Sequence, residues 1–494
     1  MVTLLFPGRH HMLTKFQHDY LRDLIKNAKP KIDRIIFAVT SANHENTRRN
    51  PVPLYLRVLA IDKFACDLGC SVKICPIPDV KPTQKFAEFI LKQIFYQSGE
   101  LLNTKNTVLA CSTPNVTKMF KKLGLKNFPA ELISIKPEKY STLRPYEVIE
   151  LLVKAGKNWR LNNEWKKYAH KATQEVYFDY AIGDVIVEVF KDSLLNEDAD
   201  ITETRDYNTY ARSMDNTTQI KFAEIKPFVS EGKIVDAGCS TGTLIRLLAK
   251  EFKESDIIGI EATRKFYEFC KMQEYDNPFV FFYRRNVVDQ NFRPNSTNTF
   301  IYSSILHEVY SYLGERALLK LLKHTYLQLA HGGRIVIRDV VGPENPNLNV
   351  FMELNEKDGK PAGKITGLST YSKFFRFAKE FVPRKIKFSE IKFGGKKYIY
   401  LKLRDAYEYM SKMTYTDNWK SELHEEFGFY SFKKWKAVLR KAGFEVIIGS
   451  HQFQNPYIIE NKYKSRVTLF VKSDNKLKSI GYPPTNMVLA GEKN

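Results

Sequence analysis

Short apolar runs alternate with longer amphipathic stretches along most of the chain. Val2–Phe6, Ile35–Thr40, Ser71–Pro76, Thr107–Cys111 and Glu131–Ser134 are runs of this kind. Strands without polar alternation suit a parallel sheet covered on both faces. Between them, Asp19–Asn27, Arg57–Leu68, Lys85–Gln97 and Asn115–Leu123 space their apolar residues as helices do. The pattern resumes with strands predicted at Lys233–Ala237, Ile257–Glu261, Phe279–Arg284, Thr299–Ser303 and Arg334–Asp339. Strands alternating with helices imply crossover connections. The fold class expected is α/β, with two parallel-sheet domains.

Breaks in the pattern suggest boundaries. A helix over Pro145–Lys154 closes a first domain at about residue 160, and lysine-rich 161–205 reads as a connector. The second domain is expected over 206–474. Within it, 343–430 is long, basic and aromatic (Tyr371, Phe374, Phe375, Phe377, then Lys385, Lys387, Lys392, Lys396 and Lys397), and is expected to be a helical insertion or lid. Phe444–Ile448 and Arg466–Val471 are expected as a final hairpin, and 475–494 as a loose tail.

The strongest local signal is Val235-Asp236-Ala237-Gly238-Cys239-Ser240-Thr241-Gly242, a buried strand entering a glycine turn and then a helix. Glycines there let a ligand lie against bare backbone. The next strand ends in Glu261, an acid placed to accept both hydroxyls of a ribose. This constellation resembles the class I S-adenosylmethionine (SAM) methyltransferases, a Rossmann-like family. The resemblance implies SAM as cofactor, with Asp236, Gly238, Cys239 and Gly242 lining its site and Glu261 on the ribose. It further implies Asn286 or Asp289 at the adenine, Ser303 at the fourth strand end, and upstream Tyr210 and Arg212 folding over the cofactor. His307 and Glu308 follow that strand, where the family places substrate chemistry. His307 is the candidate general base, and Asp339 ends the fifth strand facing the acceptor.

The first 160 residues resemble the nucleotidylyltransferase superfamily, and nicotinamide-mononucleotide adenylyltransferases of the archaeal type in particular. The matching stretches are Gly8-Arg9, Arg49-Asn50-Pro51 through Arg57, Pro76-Ile77-Pro78-Asp79-Val80, Cys111-Ser112-Thr113-Pro114-Asn115 and Tyr140-Ser141-Thr142-Leu143-Arg144. The resemblance implies nucleotide contacts from Gly8, Arg9, His11, Thr14, Asn50, Arg57, Ser112, Ser141, Thr142 and Arg144, with ATP (or CTP) and Mg²⁺ as cosubstrates. The first loop departs from the family pattern. Gln17 stands where a histidine stabilises charge on the α-phosphate, and Phe16 where a glycine lets nucleotide approach; His18 is a neighbouring substitute.

Composition narrows the partners. A net charge of +22 favours a polyanion or phosphorylated substrate. The expected substrate is a small phosphorylated metabolite or nucleotide, with RNA as the alternative partner and a nucleotide/SAM sensor as the non-enzymatic reading. No apolar run is long enough for a membrane span, and the N-terminal residues lack the features of a signal peptide. Six cysteines in 494 residues fit a reducing, cytoplasmic setting rather than a disulfide framework. Cys66, Cys70 and Cys75 match no zinc spacing, so no metal site is expected. Oligomeric state is left open.

Overall fold

The computed structural model describes residues 1–80, 83–135, 138–191, 217–473 and 476–494. It divides into two compact units, Met1–Glu197 and Asp198–Asn494. Among the described residues no helix is long and apolar enough to cross a membrane.

The first unit is built on a five-stranded sheet. Its strands are β1 (Thr3–Gly8), β2 (Arg34–Val39), β3 (Ser71–Pro76), β4 (Thr107–Leu109) and β5 (Lys126–Asn127), in the order 3-2-1-4-5. All pairings are parallel. The apolar runs explain the layering. Leu4, Phe6, Ile35 and Phe37 face one core, whereas Leu5, Ile36 and Ala38 face the other. Helices Phe86–Ser98 and Pro114–Lys122 cover the second face. A hairpin of β6 (Leu132–Ile135) and β7 (Glu138–Tyr140) stands outside the sheet. The run expected as the fifth sheet strand therefore forms a hairpin, and the short β5 takes its place.

The expected connector is largely part of this unit. Helices Asn163–Tyr168, Lys171–Asp179 and Ile182–Lys191 place Trp165, Ala172, Val176, Tyr177, Ile182 and Ile186 in the same core as Leu4 and Phe37. Their apolar residues fall at helical spacing, and burial draws them onto β1 and β2.

The second unit has an eight-stranded mixed sheet. Parallel strands β8 (Lys233–Ala237), β9 (Asp256–Ile260), β10 (Val280–Tyr283), β11 (Thr297–Ser303) and β12 (Leu329–Val340) run in the order 10-9-8-11-12. Beyond β12 lies an antiparallel strand from the C-terminal residues. The expected loose tail contains this strand: Met487, Val488, Leu489 and Ala490 are all fully buried, each large side chain contributing about 1.5–3 kcal/mol.

The insertion also differs from expectation. Numbering on in chain order, β13 (Asn349–Leu354), β14 (Phe388–Phe393) and β15 (Lys396–Lys402) precede β16 (Phe444–Val446) and β17 (His451–Phe453). Then come β18 (Val467–Ser473), β19 (Lys476–Ile480) and the C-terminal β20 (Asn486–Lys493). A separate sheet forms in the order 14-15-13-18-19, packed with helices Thr370–Glu380 and Leu403–Lys412 around its own core. The insertion is thus an antiparallel sheet with helices. The expected final hairpin is split between sheets: β16 pairs with β20, whereas β18 pairs with β13.

Candidate functional site

β8 and β9 run side by side, Asp236 opposite Gly259 and Ala237 opposite Ile260, so their carboxyl ends emerge together. The chain then turns through Gly238 (φ 85°), Ser240 (φ 48°) and Gly242 (φ 75°). A Cβ on Gly238 would sit 3.0 Å from Ile305, and one on Gly242 3.0 Å from both Cys270 Sγ and the Tyr275 hydroxyl. Space and backbone conformation both require glycine at these positions. The amides of Gly238 and Cys239 donate to Ile260 O at 2.8 and 3.1 Å, fixing the turn to the neighbouring strand.

Glu261 is held by the turn itself. Its Oε2 accepts the Ser240 amide at 2.9 Å and its Oε1 the Thr263 amide at 2.7 Å. Each carboxylate oxygen keeps a second lone pair for a ligand. Ser240 Oγ is buried and has no hydrogen-bond partner among the described residues. Asp236 is 2% exposed. Burial and the Glu261 charge push its carboxyl up to about 7, against the pull of Lys221. Lys221 donates to Ser304 Oγ at 3.3 Å, and burial lowers its amine to about 8.

Beyond β11, whose last residue is Ser303, the chain passes Ser304 in the left-handed region (φ 58°). Asp339, near the end of β12, receives the next turn. Its Oδ2 accepts the amides of Leu306 and His307 at 2.8 and 3.3 Å, and its Oδ1 pairs with His307 Nδ1 at 2.6 Å. His307 Nε2 faces Glu425 Oε2 at 3.6 Å. Tyr312 donates to the other Glu425 oxygen at 3.2 Å. Burial works to lower the His307 pKa, but the carboxylates of Asp339, Glu425 and Glu308 prevail and hold it at about 9. The ring expected as a general base pairs with Asp339 and faces Glu425. Those carboxylates favour its protonated form in the absence of another cation.

Glu425 is supported by a fully buried pair. Glu408 accepts from Lys412 Nζ at 2.6 Å and from the amides of Phe427 and Gly428 at 3.1 and 2.7 Å. The Lys412 ammonium lies 3.7 Å from the Phe427 ring centroid. Breaking such a pair by removing one partner costs roughly 3–5 kcal/mol.

Other expected cofactor residues make contacts within the protein. The Asn286 side chain caps its own turn through the Val288 amide. Asp289 is half exposed and paired with Lys320 at 2.7 Å. Cys239 is a buried free thiol. Tyr210 and Arg212 lie outside the described residues. Sequence reasoning missed Lys221 and Glu425. Glu425 had no local signal, since it reaches His307 from across the insertion.

In the first unit, the expected nucleotide residues do converge, but on one another. Thr14 and Gln17 form a reciprocal capping box on helix Lys15–Asn27. Gln17 Nε2 donates to Glu131 Oε1 at 2.7 Å. Ser112 Oγ donates to the other Glu131 oxygen, and Ser141 Oγ to the Glu131 carbonyl at 3.0 Å. Arg57 donates from both terminal nitrogens to the carbonyls of Arg9, Thr40, Ser41 and His44. Arg9 reaches Arg49 O at 2.8 Å. His11 Nε2 meets Asn50 Oδ1 at 3.2 Å.

Burial holds His10, next to Gly8, at about 4, and His11 well below its ordinary value, so both are neutral. His18 stacks on His170 at 4.5 Å. Arg144 pairs with Glu147 at 2.9 Å across the first turn of its helix, and Thr142 is half-buried beside it. Helix Lys171–Asp179 covers the loop, with the Tyr177 hydroxyl on His11 O at 2.6 Å and Thr173 Oγ1 on Leu13 O at 3.0 Å. Glu131 was not singled out from the sequence. It places a carboxylate where an anionic phosphate would need donors.

Residues 235–337, which span β8 to β12, match a family model described as a methyltransferase domain. No curated protein matches the chain. Solved structures overlap with it. A SAM-dependent methyltransferase from Archaeoglobus fulgidus is 14% identical and covers 58% of this chain and 100% of its own, with a TM-score of 0.32. A second, from Mesorhizobium loti, is 12% identical over 57% of this chain and 100% of its own, with a TM-score of 0.34.

Proposed function

We propose that the second unit is a SAM-dependent methyltransferase whose cofactor lies across the carboxyl ends of β8 and β9. The observation that carries this is the Glu261 carboxylate, held by two turn amides at the end of the second strand beside a turn whose two glycines have positive φ. The residues fit the cofactor. Gly238 and Gly242 give a bare backbone cradle, Glu261 offers lone pairs to a ribose, and the buried Ser240 hydroxyl has a bond left to make. SAM, when bound, supplies the methyl group. Glu261 offers a carboxylate to the cofactor with Asp236 buried behind it, and Asp339 orients His307 toward the acceptor side.

The acceptor is a phosphate-bearing molecule, a reading supported by the net charge of +22. The first unit resembles nucleotidylyltransferases in its sequence motifs, but the groups that would meet a triphosphate bond to the protein. This favours a unit that does not transfer nucleotides over a second active centre. The test is calorimetric titration with SAM, and then with ATP and CTP in Mg²⁺. Binding of SAM that is lost in Asp236→Ala, with far-ultraviolet dichroism unchanged, supports the site. Unchanged affinity in that variant removes the assignment. Release of pyrophosphate would restore the bifunctional reading.

A further inference from the structure

We infer that His307, Glu308 and Glu425 form a divalent-cation site on the acceptor side of the proposed SAM site. This rests on the methyltransferase reading above only for its role, since the site is defined by the protein's own ligands. One ligand atom from each of the three residues lies within 4.8 Å of the others. His307 and Glu425 are buried and Glu308 is half-buried. The cluster follows β11, and Glu261 follows β9; both strands pair parallel with β8, so the two lie at the same end of the sheet.

The histidine is oriented as a metal ligand is. Asp339 accepts from Nδ1 at 2.6 Å, fixing the ring and leaving Nε2 to face the cluster. A carboxylate behind an imidazole selects the tautomer and strengthens the other nitrogen as a donor. His307 is 7% exposed, yet Nε2 stands 3.6 Å from Glu425 Oε2, beyond ordinary hydrogen-bonding distance. Two ligands at about 2.1 Å from one ion lie about 3.0–3.5 Å apart. The 3.6 Å separation is close to that span, and an ion drawn between the two would take the place of the proton on Nε2.

Outer contacts support the same arrangement. Tyr312 fixes the second Glu425 oxygen. The buried Glu408–Lys412 pair anchors the amides of Phe427 and Gly428, just beyond Glu425. One imidazole and two carboxylates make a mixed nitrogen and oxygen set, which suits Mn²⁺ or a similar first-row cation. A first-row cation takes more than three ligands, so oxygen donors from water or the acceptor would complete its shell. A cation there would position the acceptor and lower the pKa of a bound hydroxyl.

The test uses the tag-free, chelator-treated full chain titrated with Mn²⁺, followed by the electron paramagnetic resonance of the free ion. One ion bound per chain is expected. Glu425→Gln and Glu308→Gln should each weaken it at least about tenfold, and Asp339→Asn about tenfold through the ring alone. Melting curves of each variant report folding, and the half-buried Glu308 gives a readout should Glu425→Gln fail to fold. Absence of Mn²⁺ binding in a folded chain overturns the site, as does binding untouched by both glutamine variants. SAM is titrated in the same preparation. One Mn²⁺ lost in Glu308→Gln, with no SAM binding at all, keeps the cation site and removes the cofactor reading.

Discussion

The loop after β1 and the loop after β8 hold the same topological position, the first strand of a parallel sheet, and have opposite chemistry. After β1 the polar groups face inward. Arg57 binds four carbonyls, Gln17 and Ser112 share Glu131, and helix Lys171–Asp179 lies across the top. After β8 the polar groups are held at the surface of a turn. Glu261 is fixed by amides but keeps lone pairs, and Ser240 Oγ has yet to find a partner among the described residues. A parallel sheet supplies the location of a site. Whether a ligand is received depends on whether the side chains there have already satisfied one another.

The largest expected effect breaks the open side. Glu261→Ala removes the proposed ribose acceptor and leaves two turn amides unpaired, so SAM affinity should fall at least about 100-fold by calorimetry, or about 2.7 kcal/mol. Retention of affinity would erase the contrast. On the closed side, Gln17→Ala should act on stability. It opens the capping box and strips Glu131 of a donor, and chemical denaturation should show a loss of about 1–3 kcal/mol with the SAM titration unchanged.

The third prediction concerns pH. The Asp236 carboxyl ordinarily titrates near 3.8 and is raised to about 7 in the folded unit. The folded state therefore binds the proton more tightly. This contribution to stability is full below about 4 and is lost as pH rises through 7. Urea midpoints at pH 5 and pH 8 should differ less in Asp236→Asn than in the parent; an equal difference would place the titration elsewhere. The smallest effect is Arg144→Ala. Its ion pair is half exposed, so stability should change by about 0.5 kcal/mol or less, and nucleotide titrations should stay flat. A drop in ATP or CTP affinity would return Arg144 to a phosphate.

The legible parts were those set by local pattern. β1, β2, β3, β8 and β9 were visible because each is an apolar run bounded by turn residues, and the Asp236–Gly242 turn followed from them. What was hidden depended on distant partners. Glu131 has no local signature, and its role exists only because it meets Gln17 and Ser112. Glu425 reaches His307 from the far side of an insertion. The residues of β20 were read as a tail because polarity on either side masked a short apolar run, and their burial came from strands far away in sequence. The insertion looked helical from its lysines and aromatics, whereas β14 and β15 pair around Gly394 and Gly395, both with positive φ.

The position of β20 has a kinetic consequence. Its pairing with β12 aligns Arg334 with Glu492, and the two side chains meet at 2.9 Å across 158 positions of chain. Contacts of such sequence separation form late, because the intervening chain must first be confined. Here that chain contains a sheet with its own core, which can condense beforehand and shorten the loop that remains to be closed. Refolding of the second unit should accordingly show an early phase from the insertion and a slower one in which β20 docks. The slow phase is the interval in which the inner edges of β12 and β16 stand open to pairing with another chain.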